Sequence, residues 1–156
     1  MGPGPTFEDR QRRVSVRPRT VIGAAARALR AVGREGGRVE VALVDDAEIR
    51  RLNRAFRGVG RRTDVLAFPL EVAESPGGLV GQIVISADTA QRQSRRLGVP
   101  LALELGLLVT HGVLHLVGYD DRDPVEADLM HRRERDILSS THERVPSQLW
   151  KGLLHG

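Results

Sequence analysis

No cysteine occurs in the 156 residues, which excludes disulfides and thiolate metal sites and suits a reducing cytoplasm. Aromatic side chains make up only 3% of the chain, so a surface built from stacked rings has little to draw on. Lysine is nearly missing too: Lys151 is the single one, and arginine supplies the rest of 24 basic residues. No apolar run is long enough to cross a bilayer, because the stretch from Leu101 to Val117 is short and broken by Glu104 and two histidines. The opening MGPGPTFEDR lacks the basic start and apolar core of a signal peptide. Its formal match to a myristoylation pattern is undercut by prolines at 3 and 5. These absences imply a cytoplasmic protein with neither a membrane nor a disulfide partner.

What is present amounts to one domain's worth of chain with a basic balance, a formal charge of +4 and a sequence pI near 10.8. Such a balance favours an acidic partner, nucleic acid first. Arginine in place of lysine throughout fits GC-rich coding, but that does not explain clustering. Arg50, Arg51, Arg54, Arg57, Arg61 and Arg62 crowd into one short segment and form the candidate RNA-binding surface.

Residues 1–12 carry no pattern and read as disordered. Val14 to Arg17 alternates like a short strand. Pro18 then opens a helix with Val21, Ile22, Ala25, Leu29 and Val32 on one face. Val39 to Val44 is a strand, and Asp45 and Asp46 cap a short helix carrying Ile49 and Leu52. Asn53 to Arg62 reads as a connector. Val65 to Leu70 and Leu79 to Ile85 form a hairpin. Ser86 or Asp88 begins a polar helix that Gly98 and Pro100 end. After the apolar helix, Asp123 and Pro124 start a last helix with Val125, Leu129, Met130 and Ile137 inward. The tail from Thr141 offers only Leu149, Trp150, Leu153 and Leu154 for docking. The domain therefore spans 13–140, with a tail at 141–156. Its class is α+β, a mixed sheet of about four strands with helices packed on it and the apolar helix buried at the centre.

Chemistry concentrates in HGVLHLVGYDD, from His111 to Asp121. His111 and His115 stand one helical turn apart on one face. Gly118 suits the left-handed turn that ends a helix, and the reversed chain can swing Asp121 back towards the imidazoles. Two imidazoles and a carboxylate make a three-ligand zinc site with an open fourth position, one ion per chain. The competing reading is a hydrogen-bonded pair of core histidines. It leaves two imidazoles on a buried stripe with Glu104 and Gly118, which is costly without a partner. Gly112 stands where a zinc protease of the HExxH type carries its general-base glutamate, which disfavours peptide hydrolysis and leaves room for a phosphodiester.

With these pieces in order, the chain resembles the YbeY family of bacterial endoribonucleases, which act in ribosomal RNA maturation. LNRAFRGVGRRTDVLAFP at 52–69 is similar to the family's LN-x2-(Y/F)-R segment followed by TDVLSFP. GQIVIS at 81–86 is similar to its GDI-x-I strand, and HGVLHLVGYDD to HG-x-LH-x2-GYDH; Met130 and Glu134 match in type and position. Two positions depart: the third histidine ligand falls on Asp121, and the strand aspartate on Gln82. The resemblance implies zinc-dependent cleavage of single-stranded RNA in rRNA processing and ribosome quality control, with the ribosomal small subunit as partner. His111 then serves as ligand and catalytic residue, and Arg57 as a clamp on phosphate. The metal-bound hydroxide or Asp120 would take the proton, Asp120 being equally suited to capping the turn. His131 and His142 stand in reserve as ligands. The alternatives are a non-catalytic ribosome-assembly factor, which the change at Asp121 favours, and a metalloprotease-like hydrolase.

Overall fold

Valines at 39 and 41 and Leu43 give one strand an apolar edge at the two-residue period, and the sheet is assembled around it. The computed structural model describes residues 4–56, 64–72, 79–140 and 145–151. In chain order the elements are β1 (Thr6–Asp9), α1 (Pro18–Ala31), β2 (Arg38–Val44), α2 (Asp46–Phe56), β3 (Val65–Val72), β4 (Leu79–Ser86), α3 (Ala87–Leu97), α4 (Leu101–Leu116) and α5 (Pro124–Ser139). A 3-10 turn at Ser147–Trp150 follows them. The sheet runs β1-β2-β4-β3. Its first three strands are parallel, and β3 folds back antiparallel on β4. This is the mixed four-stranded α+β arrangement expected.

Period-two alternation gives the sheet two different faces. Val39, Val41, Leu43, Val65, Ile83 and Ile85 join the larger core with α1 and α4. Ala42, Val44, Leu66 and Val84 turn the other way, onto Ile49 of α2, with Leu52 and Phe68 at the margin. Helices α2 and α3 each start at a side-chain cap. Asp45 accepts from the Glu48 amide ahead of α2, and Ser86 accepts from Thr89 ahead of α3, which Gly98 closes in a left-handed conformation.

The buried helix α4 lies against β4 because two glycines allow it. A Cβ on Gly112 would come within 2.8 Å of Ile83, and one on Gly81 within 2.9 Å of Leu116. The space beside Gly112 is therefore filled by Ile83, so this glycine sets helix–sheet distance. It does not make room for a substrate, as its place beside the ligands had implied.

Three further expectations are corrected. The first strand is Thr6–Asp9, inside the stretch read as disordered, whereas Val14–Arg17 is not a strand. Its polar, mostly exposed residues give no alternation, and parallel pairing along β2 holds it. Val14 is buried instead by a loop in which Gln11 accepts from the Arg13 and Val14 amides and donates to the Val14 carbonyl. The helix α2 continues through Asn53 to Phe56, so that part of the expected connector is helical. On α5, Val125 and Leu129 are exposed, at 69% and 54%, while Met130, Glu134, Ile137 and Leu138 face the core. Only the side of α5 that carries Met130, Glu134, Ile137 and Leu138 is buried. Leu149 and Trp150 dock and are buried; Leu153 and Leu154 lie outside the described residues. Among the described residues, no helix is long and apolar enough to cross a membrane.

Candidate metal centre

The end of α4 builds the site. Val117 caps the helix, Gly118 takes φ 106°, and the amides of Gly118 and Tyr119 return to the carbonyls of His115 and Leu114. This paired closure satisfies the last carbonyls and needs a residue tolerant of positive φ at 118. It reverses the chain, and Asp121 comes back over the two histidines. One ligand atom from each of His111, His115 and Asp121 lies within 4.8 Å of the others, a grouping able to hold a metal ion.

The other ring nitrogens are already engaged. His111 Nδ1 faces Glu134 Oε2 at 2.6 Å, and His115 Nδ1 donates to the Tyr119 carbonyl at 3.0 Å. Both Nε2 atoms therefore point to one spot, 3.0 Å apart. Asp121 oxygens stand 3.5 Å from the first and 3.8 Å from the second. If both imidazoles are neutral with their protons on Nδ1, two bare lone pairs oppose each other beside a carboxylate. Only a cation relieves that arrangement, and two imidazoles with one carboxylate are the donor set zinc accepts. The cation is either a proton or a metal.

Behind the ligands sits a fully buried carboxylate. Glu134, from the middle of α5, takes His111 on one oxygen; the other accepts from His131 Nδ1 at 2.8 Å and Trp150 Nε1 at 3.0 Å. Burial works against its charge, but hydrogen bonds from His111 and His131 hold its pKa below the ordinary carboxylate range. Sequence reasoning assigned Glu134 no role beyond a family match. The available signal was a charge on an otherwise buried stripe, one turn from Met130 and from Ile137 and Leu138.

Titration follows from this geometry. Burial disfavours a charged His111, yet hydrogen bonds to Asp121 and Glu134 prevail and raise it to about 9. Burial and the His111 charge together lower His115. The hydrogen bond from His111 draws Asp121 down to about 2, against the opposing effect of burial. Metal-free protein should therefore change its stability with pH in two opposite senses. His115, depressed when folded, adds stability as pH rises towards its unfolded value of about 6.5. His111, raised when folded, holds its contribution below about 6.5 and loses it as pH climbs through 9. Thermal unfolding of chelated protein should show its midpoint falling between those pH values. Zinc-loaded protein should not show that fall, because a proton no longer competes for the site.

The remaining candidates divide. Asp120 accepts the Arg122 amide and guanidinium, at 3.1 and 2.8 Å, a local turn of the Asx type that supports its capping role. His131 serves Glu134 and is not in the ligand cluster. Gln82 donates to Glu40 on the neighbouring strand at 2.7 Å, so its amide is satisfied within the sheet. Arg50, Arg51 and Arg54 are exposed on α2, on the sheet face opposite α4, and are not brought to the ligands. Arg57, Arg61, Arg62 and His142 lie outside the described residues. Arg92 pairs with Asp46 at 2.9 Å.

Comparison with known proteins gives the family of the chain. A family model described as Endoribonuclease YbeY matches residues 6–142. The Endoribonuclease YbeY of Moorella thermoacetica is 44% identical over 128 residues, covering 76% of this chain and 81% of that protein. The one from Anaeromyxobacter dehalogenans is 41% identical over 119 residues, covering 76% of this chain, which spans only 62% of that relative's length. The solution structure of TM1509 from Thermotoga maritima superposes with a TM-score of 0.58 at 24% identity, covering 97% of this chain and 92% of that one. At that identity the likeness concerns the fold.

Proposed function

Because this chain belongs to the YbeY family of endoribonucleases, we propose that it is a zinc-dependent endoribonuclease that cuts single-stranded RNA during ribosomal RNA maturation. One observation carries the metal half of the reading: two Nε2 atoms 3.0 Å apart, grouped with a carboxylate. His111, His115 and Asp121 would hold one ion. When bound, it supplies Lewis-acid stabilisation of the charge that builds on the phosphate during cleavage.

The protein's own groups prepare that chemistry. Glu134 holds the His111 proton on Nδ1 and so keeps Nε2 free to bind. The Tyr119 carbonyl does the same for His115. Asp121 brings a negative charge where the family pattern has a third histidine, which keeps the site electrically balanced and tempers the acidity of the ion. Arg57, at the family's arginine position, is the proposed clamp on the scissile phosphate, since a forked guanidinium fits two phosphate oxygens at once. No carboxylate stands at 112, where a zinc peptidase of the HExxH type would need one.

Affinity for RNA should come mainly from the arginines at 50, 51, 54, 57, 61 and 62. Binding should weaken steeply with salt, with a log–log slope of about −4 if all six neutralise a phosphate. Sequence preference should be slight, because rings for stacking are few. The test measures binding and cleavage of a labelled single strand and its duplex at low and high salt. Cleavage of the single strand alone, with salt-sensitive binding, supports the reading. Binding indifferent to salt would reduce the arginines to a solvated surface. Salt-sensitive binding without any cleavage by metal-loaded protein would make the chain a non-catalytic rRNA-binding factor.

A further inference from the structure

We propose that Trp150 is a positioning residue of the metal centre, acting on His111 through Glu134; this rests on the metal reading above. Trp150 is the only tryptophan in the chain, and it is buried in the 3-10 turn after α5. Its indole N–H donates to Glu134 Oε1 at 3.0 Å. The other oxygen of the same carboxylate holds His111 Nδ1 at 2.6 Å. An unbroken run of hydrogen bonds thus joins the C-terminal turn to a ligand on α4.

The donors on Glu134 show why this contact matters. Among the described residues, the carboxylate has two donors apart from His111: His131, one turn earlier on its own helix, and Trp150. His131 moves with α5 and cannot fix the carboxylate against anything outside that helix. Trp150 comes from a separate element and holds the plane of the carboxylate from a second direction. A carboxylate so held keeps the His111 ring in one rotation and one tautomer, with Nε2 turned to Asp121 and His115. The indole ring of Trp150 is itself held in place, since the Arg135 guanidinium lies 4.7 Å above its centre. The match to the family model ends at residue 142, so this contact is supplied by chain beyond the matched region.

The experiment titrates chelated full-length protein with zinc against a chromophoric chelator, for wild type, Trp150→Phe and Leu149→Ala. Trp150→Phe keeps a ring in the core but removes the N–H. Loss of a direct outer partner of a ligand typically weakens metal binding about 10- to 100-fold, and one step further out we expect a loss of roughly three- to tenfold. Leu149→Ala loosens the packing of the turn but keeps the indole N–H, so it should unfold at lower temperature and lose less zinc affinity than Trp150→Phe. In wild-type protein the single indole N–H resonance should shift as zinc is added and stop shifting at one equivalent. Wild-type affinity in Trp150→Phe, an equal loss in Leu149→Ala, or an indole resonance indifferent to zinc would each overturn the proposal. The resonance is read on unaltered protein and decides the matter even if a variant fails to fold. A wild-type protein that binds no zinc would remove the metal reading and this inference together.

Discussion

His111→Ala should abolish zinc binding and RNA cleavage while leaving RNA affinity almost unchanged. The variant deletes one of three ligands, so the affinity loss should exceed the roughly 10- to 100-fold typical of losing an outer partner. RNA affinity is expected to survive because Arg50, Arg51 and Arg54, which contribute to it, lie across the sheet from α4. An interaction that acts on the transition state shows in rate rather than in binding. The substitution also destabilises the fold, since Glu134 is fully buried and loses one of its three donors. Breaking a buried charged pair costs about 3–5 kcal/mol, and the lower end applies here because His131 and Trp150 still donate. Cleavage must therefore be measured below the unfolding temperature of the variant. Cleavage at the wild-type rate would refute the assignment of His111.

The second large effect concerns Glu134, and two substitutions separate stability from metal binding. Glu134→Leu leaves two buried N–H groups, on His111 and Trp150, and the half-buried one of His131 facing an apolar side chain. At about 1–3 kcal/mol for each unsatisfied donor, the loss is enough to threaten a domain of ordinary stability. Glu134→Gln is gentler and more informative. Its carbonyl oxygen can still accept from His131 and Trp150, and its amide then faces His111 Nδ1. That ring must accept rather than donate there, which moves its proton to Nε2 and blocks the atom that binds metal. Glu134→Gln should therefore fold, unfold a few degrees earlier than wild type, and bind zinc about 10- to 100-fold more weakly. Isotope-edited spectra of the histidine rings read the tautomer directly. A variant with wild-type affinity and the proton still on Nδ1 would show that the carboxylate does not set the ligand.

Much of this was legible in the sequence, for reasons particular to each element. The ligand stretch could be read because helical spacing, a turn glycine and a following carboxylate are local signals, and α4 stands out by being apolar on every side. The hairpin and β2 declared themselves through alternation and β-branched residues. The strand Thr6–Asp9 did not, because an edge strand held by parallel pairing needs no apolar face. The start of α5 misled for the opposite reason: Val125 and Leu129 carry the right period but are exposed. Gly112 was read by its nearness in sequence to the ligands, whereas the helix turns it to Ile83. Glu134 and Trp150 were beyond local reading, since their link to His111 spans three elements that only the fold brings together.

The measurement closest to the central claim loads metal-free protein with zinc in steps and follows single-stranded RNA cleavage in the same samples. One ion per chain should bind, and cleavage should rise in proportion to occupancy, absent at the start and complete at one equivalent. Cleavage by chelated protein as fast as by loaded protein would contradict the claim.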